Sequence, residues 1–116
     1  MITLPASVRV FVCTLATDMR KGFNGLSAMA SEVMAQNPLS GNLFVFRNKR
    51  GNKLKVLYWD GDGMALWYKS LESGTFELPK ADGTSVEVTS AELAMLIGGI
   101  DLSAKRRKRF KLPRAA

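Results

Sequence analysis

Residues 41–76 read GNLFVFRNKRGNKLKVLYWDGDGMALWYKSLESGTF. Short runs rich in β-branched and aromatic residues alternate here with tight polar turns. The runs 42–47 (NLFVFR), 53–59 (KLKVLYW) and 64–71 (MALWYKSL) are strands by composition. Between the first two lies Asn48–Asn52, where Gly51 is free to take positive φ. Between the next two lies Asp60-Gly61-Asp62-Gly63, and Asp-Gly is a favoured hairpin pair. Strands joined this closely predict an antiparallel meander. Glu72-Ser73-Gly74 turns again into a short strand at 75–78, which Pro79 ends.

Working outward, 7–14 (SVRVFVCT) predicts a first strand, with Pro5 just ahead of it. TDMRKGFNG follows as a loop. Leu26, Met29, Ala30, Val33 and Met34 then form the apolar stripe of a helix with one buried face, with Asn24 as N-cap and Asn37-Pro38 as stop. After the meander, Ala81-Asp82-Gly83 turns into an edge strand at 84–88. Thr89-x-x-Glu92 has the form of a capping box, opening a short helix through Leu93, Leu96 and Ile97 that Gly98-Gly99 ends. Ile100 and Leu102 are expected to pin the chain back to the core. No internal repeat is present. The expected fold is α+β: an antiparallel meander sheet of about five or six strands packed against one main helix, with a short C-terminal helix. A helix crossover leaves open a parallel neighbour for the first strand.

The chain has 116 residues and predicts one domain, over residues 1–102, followed by a disordered basic tail, 103–116. The tail carries Lys105, Arg106, Arg107, Lys108, Arg109, Lys111 and Arg114 and no acidic residue. These seven cations equal the whole net charge of +7, so residues 1–102 are neutral. A block of like charge suits a polyanion, with affinity that falls steeply with salt. No signal-peptide pattern or membrane-length apolar run appears, and no membrane partner is expected. Cys13, the single cysteine, sits in an apolar run and reads as a small buried hydrophobe, in keeping with a reducing cytoplasm.

Catalytic constellations are scarce. The chain has no histidine, which removes the usual general base and every His-containing triad, and one cysteine cannot build a structural zinc site. No phosphate-cradling glycine motif is present, and no cofactor is expected. Asp18, Asp60, Asp62 and Glu72 are the residual candidates for a carboxylate–metal site. Asp60 and Asp62 lie beside glycines and read as turn residues. Met64 in the third ligand position rules out an EF-hand. No catalytic or metal-binding residue is assigned.

Binding features are richer. Arg47, Lys49, Arg50, Lys53 and Lys55 span the first hairpin tip, so their charges are expected at one end of the sheet, with Arg20 and Lys21 able to join them. A basic two-stranded ribbon can track a phosphate backbone or enter a groove; the alternative is a solvated hairpin whose lysines guard an edge. Phe44, Phe46, Tyr58, Trp59, Trp67, Tyr68 and Phe76 divide between the two sheet faces. They supply either core alone or, in part, a face on which bases or a protein pack.

With TDMRKGFNGL (17–26) and SAELAMLIGGID (90–101) added to the 41–76 stretch, residues 5–102 resemble the small TnpB-type accessory proteins of IS-sixty-six-type insertion sequences. The chain is far too short for the RNA-guided nuclease that shares the TnpB name. The resemblance implies a non-enzymatic accessory role in DNA transposition in bacteria, in the cytoplasm or at the nucleoid. It implies the transposase and other transposon-encoded proteins as partners, and leaves the catalytic carboxylates to the larger transposase. Together with the basic tail it makes DNA the expected ligand. A regulatory module for RNA or single strands, and a pure protein adaptor, are the alternatives. The resemblance does not reach residues 104–116, whose role rests on charge alone.

Overall fold

In the computed structural model, residues 7–98 are described. The elements are β1 (Val10–Cys13), α1 (Phe23–Glu32), β2 (Leu43–Arg47), β3 (Lys53–Trp59), β4 (Met64–Ser70), β5 (Ser85–Val88) and α2 (Ser90–Gly98). The fold is α+β, and its five strands form one sheet in the order β4-β3-β2-β1-β5. The expected disordered tail and the pinning residues Ile100 and Leu102 lie outside the described residues.

The sheet is mixed, which corrects the expectation of a pure antiparallel meander. β2, β3 and β4 do form antiparallel hairpins, in registers such as Val45↔Val56 and Val56↔Trp67. β1 runs parallel to β2, with Phe11 beside Phe44, and antiparallel to β5, with Val12 beside Val86. The cause is α1. A helical crossover carries the chain back to the end from which β1 started, as a parallel join requires. The expected strand at 75–78 is also absent. Phe76 donates its N–H to Gly51 O at 2.7 Å, and its carbonyl accepts from Arg47 Nη1 at 2.8 Å. With both backbone groups taken by a turn glycine and a guanidinium, it joins no ladder, and its ring plugs the core.

Both sheet faces are apolar and both are covered. On one face Phe11, Cys13, Phe44, Phe46 and Leu57 pack against Leu26, Ala30 and Met34 of the α1 region. On the other, Val10, Val12, Leu43, Val45, Leu54, Val56 and Phe76 pack against Leu93, Leu96 and Ile97 of α2. Strand alternation allots these residues, as Phe44 and Phe46 face α1 while Leu43 and Val45 face α2. The short helix therefore seals a second face rather than only following the sheet.

The helix ends differ from one another. α1 begins at Phe23 after Gly22, with no side-chain cap, so Asn24 is not the N-cap. It stops before Asn37-Pro38, because Ala35 takes φ 57° and turns the chain away, with Gln36 donating to Ala30 O. α2 has the expected reciprocal box: Glu92 N–H donates to Thr89 Oγ1 at 3.0 Å, and Thr89 N–H to Glu92 Oε1 at 2.8 Å.

Candidate nucleic-acid interface

The parallel β1–β2 pair decides where the cations meet. Both strands end at the same end of the sheet, so the loop after β1 and the β2–β3 hairpin lie side by side. Thr17 N–H donates to Arg47 O at 2.9 Å and fastens the two. Arg20, Lys21, Arg47, Lys49, Arg50 and Lys53 thus share one end. The acidic β3–β4 turn, with Asp60 and Asp62, lies at the other, where Asp60 N–H donates to Gly63 O. The topology thus sets the hairpin and loop cations at one end of the sheet, with Lys55 turned inward.

The cations at that end are not equivalent. Lys49 and Arg50 are exposed at the hairpin tip, and Lys21 is exposed in the loop. Arg20 forms a two-pronged pair with Asp18, with Nη2–Oδ2 at 2.7 Å and Nε–Oδ1 at 3.1 Å. Its side chain nevertheless remains 91% exposed. The guanidinium and the Arg20 backbone N–H together hold the Asp18 carboxyl down at about 2, and the carboxylate in turn raises Arg20. Asp18 is therefore a turn residue and counter-ion, half-neutralising a cation that still faces solvent. Lys53 is half-buried and reaches Ser70 Oγ at 3.3 Å.

Lys55 is turned inward. It is 8% exposed, its Nζ donates to Met19 O at 2.8 Å and Lys21 O at 3.0 Å, and it lies 4.9 Å from the Tyr68 ring centroid. Its ammonium clamps the 19–21 loop to the sheet and leaves the solvent-facing set. Arg47 is half-buried and bonded to Phe76 O. It lines an open cleft of about 730 Å³ with Thr14, Glu77, Lys80 and Asp82. The tail cations Lys105, Arg106, Arg107, Lys108, Arg109, Lys111 and Arg114 lie outside the described residues.

Two side chains at this end escaped the sequence reading. Lys80 joins the Arg47 cleft from the long loop after β4, and that loop has no periodicity to place it. Phe23, the first residue of α1, is 48% exposed two residues from Lys21. The break in the helical stripe ahead of Leu26 was the available signal for it. The other aromatics divide unevenly: Phe44, Phe46 and Phe76 are core, Tyr58, Trp59 and Trp67 are half-buried, and Tyr68 is 50% exposed. With a helix on each face, the sheet offers no broad aromatic platform among the described residues.

The carboxylates do not converge. Asp18 lies at the basic end and Asp60 and Asp62 at the opposite end. Among the described residues no group of three His, Cys, Asp or Glu side chains is arranged to hold a metal ion. Burial pushes the Cys13 thiol up, away from the reactive thiolate. No helix among the described residues is long and apolar enough to cross a membrane.

The motifs of the basic end and of α2 fall within a match to the family described as IS66 Orf2 like protein, over residues 8–107. The chain belongs to the IS66 Orf2-like family. Two relatives from Sinorhizobium fredii (strain NBRC 101917 / NGR234) support the assignment. "Uncharacterized protein y4hO" is 46% identical over 95 residues, 82% of this chain and 83% of the relative. "Uncharacterized protein y4jC" is 38% identical over 113 residues, 97% of each. No solved structure matches the chain at a significant level. The IS66 Orf2-like match takes in the Asp18–Arg20 pair, the clamp lysine Lys55 and the Thr89–Glu92 box, and it stops within the basic tail.

Proposed function

We propose that this IS66 Orf2-like protein is a non-catalytic accessory factor of insertion-sequence transposition that binds DNA through phosphate contacts, as a partner of the transposase. The family supplies the transposition setting. The observation that carries DNA binding is the convergence of cations on one end of the fold. Arg20, Lys21, Lys49 and Arg50 face solvent there. α2 runs from the opposite end, after Val88, back to this one. Its Ile97 carbonyl accepts from Lys69 Nζ at 3.2 Å, and Lys69 pairs with Leu54 at the start of β3. Gly98, the last described residue, therefore lies at the end that already holds the exposed cations. Tail and hairpin tip can grip one phosphate backbone together, the tail giving affinity and the folded end orientation.

The test is fluorescence anisotropy with duplex and single-stranded DNA over a salt series, on the full chain and on a chain ending at Leu102. Weakened but real binding by the shorter chain, steeply salt-dependent, supports the reading. No binding by either chain refutes it. Half-exposed Phe23 beside Lys21 favours a second reading, in which one ring stacks on an unpaired base. A preference for single strands that Phe23→Ala removes distinguishes that reading.

A further inference from the structure

Among the described residues, the longest main-chain edge left without a strand partner is the outer edge of β4. We infer that this edge pairs with the same edge of a second copy, antiparallel about a two-fold axis through Trp67, joining two five-stranded sheets into one of ten.

The hydrogen-bond pattern sets the register. Asp60 N–H donates to Gly63 O, and Leu71 N–H donates to Asn52 O, each at 2.8 Å. Both pairs belong to the single β3–β4 register in which Val56 opposes Trp67. In an antiparallel pair, hydrogen-bonded positions recur every second residue. Ala65, Trp67 and Lys69 therefore spend their N–H and C=O groups on β3. Met64, Leu66, Tyr68 and Ser70 turn theirs to the open edge.

These four outward residues are symmetric about Trp67. An antiparallel second copy centred there sets Leu66 against Tyr68 of the partner subunit and Met64 against Ser70 of the partner subunit. Every outward N–H and C=O of the strand is then satisfied, with none left over at either end. The axis position, Trp67 against its own mate, falls at a non-hydrogen-bonded site, where facing side chains come closest.

The side chains suit a copy of the same strand. Residues 64–70 hold no proline and no acidic residue. The one charge, Lys69, falls opposite Ala65 of the partner subunit, so no like charges meet. Its ammonium reaches back to Ile97 O instead of guarding the edge. Met64, Leu66 and Trp67 are half-buried and Tyr68 half-exposed, a run of apolar surface left at a sheet rim. The other edge, β5, differs. It has four residues, and Glu87 on it is held in an ion pair with Arg9 at 2.7 Å.

The proposal is independent of DNA binding and is tested without DNA. Sedimentation equilibrium of the full chain should give twice the 12.7 kDa chain mass. Hydrogen exchange on the unmodified protein should show concentration-dependent protection of the Met64, Leu66, Tyr68 and Ser70 amides. Ser70→Pro removes an outward N–H without touching the β3 ladder, and should weaken the dimer by about tenfold or more. Trp67→Cys should form an interchain disulfide under mild oxidation, since the native Cys13 is buried. Asp62→Cys, at the β3–β4 turn, should not. A chain that stays at 12.7 kDa with freely exchanging edge amides overturns the proposal. So does a dimer indifferent to Ser70→Pro, which must use another surface. So does a chain that dimerises only when cut at Leu102, since the tail then occupies the edge.

Discussion

The N–H of Phe76 donates to the carbonyl oxygen of Gly51 at 2.7 Å, fastening the loop after β4 to the tip of the basic hairpin. The tip is thereby tied to Phe76, whose ring is fully buried in the core. Gly51 is buried and has φ +81°, and a Cβ there would stand 3.3 Å from Thr75 Cβ and Cγ2. Gly51→Ala combines left-handed backbone strain with that crowding. Urea unfolding should show a loss of about 2 kcal/mol. Gly61→Ala, also at positive φ but with open space around it, should cost less.

Lys55 joins the loop of the TDMRKG motif to the sheet. Lys55→Met keeps the apolar stem but leaves the Met19 and Lys21 carbonyls without their charged donor. A loss of about 2 kcal/mol is expected in chemical denaturation. Faster amide exchange should be confined to residues 17–22. Because the Lys55 ammonium points inward, the salt dependence of any DNA binding should be unchanged.

The Asp18–Arg20 pair gives a pH signature. The Asp18 carboxyl is held at about 2, below its ordinary 3.8. Its folded pKa is depressed, so the stability it contributes is complete above 3.8 and is lost as pH falls toward 2. The stability difference between wild type and Asp18→Asn should be level at neutral pH and shrink across that acid window. The pair is solvent-exposed, so the difference should be small and reduced by salt. A carboxyl NMR titration placing the Asp18 midpoint near 4 would show that the pair does not form in solution.

The capping box at α2 is a local device with a local cost. Thr89→Ala removes the acceptor for Glu92 N–H and should cost about 1 kcal/mol in thermal or chemical unfolding. Ala35 carries the opposite expectation. Its φ of 57° is costly for a residue with a Cβ, so Ala35→Gly should stabilise the fold by up to about 1 kcal/mol.

Local signals in the sequence carried the hairpins and the box. The turn pairs at 60–63, the apolar and aromatic runs of β2 to β4 and Thr89-x-x-Glu92 each act within a few residues, and the structure keeps all three. What was not legible depends on distant partners. Nothing in 7–14 states that its neighbours are β2 and β5, so the parallel join was only an open possibility. Phe76 looked like a strand residue because its partners, Gly51 and Arg47, lie far back in the chain. Lys55 looked like its neighbours Lys49 and Arg50. Strand alternation sets it on the α1 face, but only the fold of the 17–22 loop supplies carbonyls for its ammonium. The burial of both sheet faces was foreshadowed by near-continuous apolar runs such as LFVF, a pattern more typical of doubly covered strands than of half-exposed ones.

Lys49 and Arg50 are the strongest discriminators of the proposed function. Both are exposed at the hairpin tip, and neither has a hydrogen-bonding or ionic partner among the described residues. Replacing both by Ser removes two charges without disturbing Gly51 or the Asn48–Asn52 contact at 2.9 Å. If the tip contacts phosphates, the slope of log affinity against log salt should fall by about 2 on duplex DNA. Stability should stay within about 0.5 kcal/mol of wild type. If the slope does not move in the full chain, the tail alone carries the electrostatics. The hairpin is then a solvated edge, and the folded body serves a protein partner.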